Sequence, residues 1–467
     1  MTAATTLWRL SATELDAAYR TGSVSPVEVL RACLDRCAAV NPKINALVLV
    51  DEAGATAAAR ASESRMREGR RLGPLDGVPF TVKDNLHVAG LRATWGSKLF
   101  ETFVPEHDDL SIARLRAAGA VMVGKTNTPE LALASFTDNL LFGPSRNPWN
   151  TDLIPGGSSG GAVAGVAAGI TPLAVGTDAG GSTRLPSSYT GLFGLRPSTG
   201  AVARLHGFPA LAHDFQAIGL MTRTIDDLQA LFRCVVGPDP RDPASLRYTH
   251  AKNALFAPQV RIRLCDRVGS EPVDPEARAA CRRAAEHFAA LGCRVEEGPA
   301  PYDLEVLRDL WGTIPTVGAA RVVSRHPDWE KRVTPNILAL ASAGLAKSGV
   351  DYLSAIDRVG TFRADVEQRW AGFDVVLTPT SAALPWAIGE PYPKAIDGRP
   401  TNPRSASLFA TWVNATGYPG LNLPVMLSRD RLPIGAQLVG PFGSDEALLA
   451  LAARYAAHAP GLGTPDL

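Results

Sequence analysis

Two serines set among glycines, and one lysine closing an apolar run, are the residues of this chain best suited to covalent chemistry. The first serine lies in Pro155-Gly156-Gly157-Ser158-Ser159-Gly160-Gly161. Four glycines around two serines let the backbone take conformations closed to other residues, so a hydroxyl can approach a neighbouring segment closely. The second lies in Gly176-Thr177-Asp178-Ala179-Gly180-Gly181-Ser182-Thr183-Arg184. There an apolar run, Leu173–Val175, enters a turn in which the N–H groups of Ala179, Gly180, Gly181 and Ser182 can converge on one point. Donors fixed where negative charge develops on a carbonyl oxygen are what an oxyanion hole requires. Asp178 and Arg184 flank the turn, and a buried ion pair between them would hold it. The lysine is Lys83, at the end of Gly77-Val78-Pro79-Phe80-Thr81-Val82-Lys83-Asp84-Asn85. Apolar surroundings would desolvate its ammonium and lower its pKa. A neutral lysine can then take a proton from a serine hydroxyl.

Two further motifs compete with this reading. Gly119-Ala120-Val121-Met122-Val123-Gly124-Lys125-Thr126 fits the GxxxxGK[ST] phosphate-loop pattern. Its centre is apolar, however, and Asn127-Thr128-Pro129 blocks an immediate helix, so it reads as a buried strand. Gly156–Gly160 fits the GxSxG nucleophile elbow, which needs a downstream acid and a histidine. Near the C-terminus only His458 is available, in an Ala-rich helix where a lone histidine reads as a surface residue. The six cysteines form no CxxC pair and no metal-like spacing with histidine, so they read as incidental thiols in a reducing compartment. No metal and no cofactor are expected.

The elements that must position these residues follow from the pattern. Apolar residues make up 46% of the 467 and charged residues 20%, which is enough apolar material for a large core. A net charge of +1 gives no electrostatic reason to expect nucleic acid or an anionic membrane as partner. The opening residues lack a basic segment leading into an apolar one, and no run is long enough to span a bilayer. A cytoplasmic protein is therefore expected. Ser25-Pro26-Val27-Glu28 predicts a capped helix that continues to about Val40, with Asn41-Pro42 as its stop. A second helix is predicted over about 51–70. From about 75 to 235 short apolar runs alternate with glycine-rich turns and Ala-rich helices, the mark of an α/β fold with a mixed sheet. Residues 237–258 read as a surface loop. The stretch 260–370 reads as one strand and several helices, a cap or insertion. Strand signals return at Phe373–Pro379 and Ile434–Val439, before a terminal helix at about 444–458.

Taken together, the motifs resemble the amidase signature family. Gly77–Asn85, Pro155–Gly169 and Gly176–Pro186 carry the likeness in content and order, with Gly124–Glu130, Gly143–Asn150 and Gly191–Gly200 around them. Lys83, Ser158 and Ser182 stand 75 and 24 residues apart, as the family's spacing implies. The likeness recurs at Asp374–Pro379 and Pro433–Gly440. It implies one large α/β domain over 1–467, with a mixed, twisted sheet covered by helices on both faces. Its parts would be N-terminal helices (1–70), a signature core (75–235), a helical cap (260–370) and a completed core (373–467). It also implies a Ser-cisSer-Lys triad. Lys83 would be the base, Ser158 the bridging serine after a cis peptide bond, and Ser182 the nucleophile, with Ala179–Ser182 as the oxyanion hole.

Within that family the residues favour a free-standing amidase acting on a modest-sized, apolar or aromatic small-molecule amide. The alternative is the glutaminase component of a tRNA-dependent amidotransferase. Those proteins usually carry Met-Gly-Ser-Ser where this chain has Leu133-Ala134-Ser135-Phe136, so Ser135 and an aromatic Phe136 would wall the pocket. No basic residue stands in Val333–Ile337 to meet a glutamine carboxylate. Trp311, Trp386 and Trp412 are further candidate walls. A serine esterase using Ser158 and His458, and a catalytically silent binding protein, are the other readings. A homodimer stays open.

Overall fold

Apolar runs bounded by glycine become strands, thirteen among the described residues of the computed structural model, which are 3–251, 256–257, 259–370, 372–459 and 461–467. They are β1 (Leu47–Val50), β2 (Pro79–Lys83), β3 (Val121–Thr126), β4 (Leu173–Asp178), β5 (Phe193–Arg196), β6 (Ala217–Thr222), β7 (Arg261–Leu264), β8 (Arg294–Glu297), β9 (Val375–Pro379), β10 (Ala395–Ile396), β11 (Arg399–Pro400), β12 (Gly420–Leu427) and β13 (Pro433–Val439). Eleven form one sheet in the order β1-β3-β2-β4-β6-β5-β12-β13-β9-β7-β8, while β10 and β11 make a small hairpin. The sheet is mixed. β2 runs parallel to both β3 and β4, the centre is antiparallel from β4 through β9, and β7 returns to parallel pairing with β9 and β8.

Successive strand residues point to opposite faces, and both faces are covered. Phe80, Val82, Leu173, Val175, Leu220, Val375 and Leu377 join one large cluster with the helices Ile225–Val235, Pro275–Ala290 and Asp445–Ala456. The intervening Ala174 and Met221 pack with Ala162 and Val163 of the helix Gly160–Ala167. Val376 packs with Trp412 and Val413 of the helix Thr411–Thr416. This single α/β domain, with a mixed sheet between helical layers, is the expected fold.

Three local expectations change. The helix predicted from Ser25 runs from Pro26 to Ile44 and keeps Pro42 within its last turn. The stretch 237–258 includes a helix, Pro243–Ala251; residues 252–255 and 258 lie outside the described residues. The stretch 260–370 is more than a cap, because β7 and β8 extend the main sheet before the helices Leu304–Val323, Pro335–Leu345 and Gly349–Trp370. Among the described residues no helix is long and apolar enough to cross a membrane.

Candidate active site

Parallel pairing of β2 and β4 sets their C-terminal ends side by side, where chain reversals place functional groups in sheets of this kind. Lys83 is the last residue of β2 and is wholly buried. Its Nζ donates to Ser158 Oγ at 2.7 Å and to Thr177 Oγ1 at 3.4 Å. Burial pushes the Lys83 pKa down to about 7, against an upward pull from the Asp178 charge. Thr177 is fixed in turn by Asn85, whose Nδ2 donates to Thr177 Oγ1 at 2.8 Å.

Ser158 enters from the loop before the helix Gly160–Ala167, after a cis Gly157–Ser158 peptide bond. Glycine at 157 is a packing requirement. A Cβ there would sit 2.5 Å from the Phe136 carbonyl oxygen and 2.7 Å from its nitrogen. Thr128 Oγ1 donates to the Ser158 carbonyl at 3.0 Å. Ser159 N–H donates to the Ser182 carbonyl at 3.2 Å, which ties the two serine loops together.

The turn after β4 is built around Asp178. Its carboxylate accepts from the N–H of Gly181 (2.7 Å) and Thr183 (3.0 Å), from Arg184 Nε (3.0 Å) and Nη2 (2.9 Å), and from Asn414 Nδ2 (2.9 Å). Arg184 is buried and also donates to Gln437 Oε1 and Asn414 Oδ1, both at 2.6 Å. Burial alone would raise the Asp178 pKa, but the Arg184 charge and these donors hold it well below the usual range. The expected ion pair is therefore present, with neither member lining the cavity. The clamp also corrects one expectation about the oxyanion donors. The Gly181 N–H is committed to Asp178 and is not free to hold an oxyanion. Among the described residues the N–H groups of Ala179, Gly180 and Ser182 have no acceptor.

Ser158, Thr177, Ala179, Gly180 and Ser182 line one cavity of about 530 Å³. Ser182 is half-buried, open to that space. No hydrogen bond joins its hydroxyl to Ser158 among the described residues, so the structure links Lys83 to Ser158 directly and Ser182 to them through the shared cavity. Ser135, Phe136 and Trp311 line the walls. Trp386 and Trp412 do not; Trp412 is fully buried and stacks on Tyr302 at 5.2 Å. Sequence reasoning missed Thr177, the orienting role of Asn85, and Arg404, which also lines the cavity. Polar residues beside Lys83 and Asp178 were a signal for the first two. Arg404 has no local signal.

The competing motifs resolve plainly. Val121–Thr126 is strand β3, entirely buried, and Lys125 Nζ lies 3.2 Å from Asp84 Oδ1 while donating to the Leu86 carbonyl at 2.8 Å. That lysine is consumed within the core. His458 is exposed in the turn after the helix Asp445–Ala456, and its ring contacts the carbonyl of Arg454 in that helix. Among the described residues no histidine lines the cavity, and no cluster of three or more His, Cys, Asp or Glu side chains could hold a metal.

The chain matches the family model described as Amidase over residues 28–449. It is 34% identical to the A subunit of the glutamyl-tRNA(Gln) amidotransferase of Acidothermus cellulolyticus, over 97% of this chain and 94% of that protein. It is 33% identical to an acylamidase from Rhodococcus erythropolis, over 97% and 96%. Among solved structures, a 6-aminohexanoate cyclic dimer hydrolase complexed with substrate superposes with a TM-score of 0.86 at 32% identity, over 98% of this chain and 99% of that one. A bacterial aryl acylamidase of the amidase signature enzymes gives 0.87 at 28% identity, over 96% and 95%. With its sheet, its buried lysine and its paired serine loops, the chain belongs to the amidase signature family and is an enzyme of carbon–nitrogen amide bonds.

Proposed function

We propose that the chain is a free-standing amidase for a small to medium carboxylic amide with an apolar or aromatic body, working through an acyl-enzyme on Ser182. The observation that carries the reading is the 2.7 Å contact between a wholly buried Lys83 and Ser158, which lines the same cavity as Ser182. Neutral Lys83 accepts the Ser158 hydroxyl proton as Ser158 accepts that of Ser182. Ser182 Oγ bonds to the amide carbon, and the carbonyl π pair moves to oxygen. The N–H groups of Ala179, Gly180 and Ser182 hold that charge. When the tetrahedral centre collapses the C–N bond breaks, and the nitrogen takes its proton from Lys83 by way of Ser158. An amine leaves poorly without that proton. Water then attacks the ester, its proton following the same relay, and the acid departs with Ser182 restored. One water is consumed, and one acid and one amine or ammonia are formed.

The apolar walls support the substrate class: Trp95, Leu131, Leu133, Phe136, Leu211 and Leu340 line the cavity. A cytoplasmic site of action goes with this reading, supported by buried, free Cys33, Cys37, Cys265, Cys281 and Cys293. The second reading, the glutaminase component of an amidotransferase, draws support from the amidotransferase relatives. A panel of aryl, alkyl and glutamine amides, assayed with the chain alone for released amine or ammonia, separates the two. Turnover of aryl or alkyl amides, abolished by Ser182→Ala, is the expected outcome. Equal turnover by Ser182→Ala, or activity confined to glutamine and to a partnered chain, contradicts it.

A further inference from the structure

Among the described residues lining the cavity of Ser158 and Ser182, Arg404 is the one charged side chain. It is partly buried, and desolvation lowers its pKa with no acid opposing the shift. Its Nη2 donates to the Trp311 carbonyl at 2.7 Å, which tethers one edge of the guanidinium. Among the described residues no carboxylate lies within ion-pair distance of it. Glu271, across the adjoining recess, is occupied by Arg308 at 2.8 Å. Trp311 lines the same cavity, and its buried indole Nε1 has no acceptor. Partly burying a cation that has a carbonyl but no counter-charge beside it costs free energy, which an anionic ligand offsets. A guanidinium carries five donors in a planar fork that fits a carboxylate with two parallel bonds.

We propose that Arg404 binds a carboxylate that the substrate carries away from its scissile amide. The inference rests on the amidase reading and narrows it. The preferred substrates are anionic amides with an apolar middle, one end held by the guanidinium and the other presented to Ser182. The apolar walls accept the middle, while the unpaired positive charge rejects amides bearing a distal ammonium.

Binding to the Ser182→Ala protein tests this without turnover. The probes are monoamides of straight-chain dicarboxylic acids of increasing length, each paired with its neutral methyl ester, with quenching of tryptophan fluorescence as the readout. At the best-fitting length the acid binds about tenfold or more tighter than its ester. Arg404→Met brings the pair within about twofold, and Arg404→Lys keeps part of the preference. Equal affinity for acid and ester at every length overturns the proposal, as does a preference that survives Arg404→Met. Because only binding is read, a chain that hydrolyses no amide sinks the amidase reading separately.

Discussion

At the scale of single residues, the proposed proton relay turns on the charge of Lys83. A protonated amine cannot accept the Ser158 proton, so activity needs the neutral form. With the pKa pushed down to about 7, kcat/KM for a non-ionising amide rises with pH through about 7 and levels above it. A pH–rate profile checks this; a flat acid limb down to pH 5 contradicts it. The same shift has a stability consequence. Between about 7 and the ordinary lysine value of about 10.4 the unfolded chain binds a proton that the folded one does not, so stability rises with pH across that window. At pH 7 the penalty is on the order of 4 kcal/mol, against about 1–2 kcal/mol for the lost hydrogen bonds. Lys83→Met is therefore expected to raise the urea midpoint at pH 7, with a gain that shrinks toward pH 10, while turnover falls by orders of magnitude. The two serines and the lysine were legible because glycine-flanked hydroxyls and a charge closing an apolar run are local features. Arg404 was not, since its meaning depends on which acids are absent around it in space.

Among elements, the critical unit is the turn between β4 and the helix Arg184–Thr190. Asp178 arranges it by binding the Gly181 and Thr183 N–H groups while Arg184 neutralises its charge. Removing one member of a buried pair leaves the other unpaired. Arg184→Met should cost about 3–5 kcal/mol by urea unfolding and misplace Ser182. Arg184→Lys should rescue little, because one ammonium cannot replace a fork that also reaches Gln437 and Asn414. The pair itself was visible in the sequence from its flanking positions. Its other partners were not, because Asn414 and Gln437 arrive from a helix and a strand more than two hundred residues away. A contact only three residues long, from the Gly181 N–H to the Asp178 carboxylate, takes Gly181 out of the donor nest. Local context also misled at Pro42: the ring fits within the last turn of a helix that packing carries on to Ile44.

For the whole molecule, one sheet runs from Leu47 to Val439, and the site draws on it unevenly. The proposed reacting groups come from residues 83–182, a stretch whose motifs carry their spacing in the sequence. The far wall comes from Trp311, Pro335, Leu340 and Arg404, brought over by helices that follow β8 and by the loop ahead of the helix Thr411–Thr416. That division explains why the fold and the class of bond could be read early and the substrate could not. The start of the stretch expected as a cap joins the sheet because β7 and β8 pair beyond β9, a contact set by strand register rather than by any local motif. The most direct test of the relay uses the isolated full-length chain, a fluorophosphonate probe and peptide mapping by mass spectrometry. One adduct on Ser182 at pH 8, lost in Lys83→Ala and strongly slowed in Ser158→Ala, is the predicted result. An adduct on Ser158 instead, or undiminished labelling of Ser182 without Lys83, would contradict it.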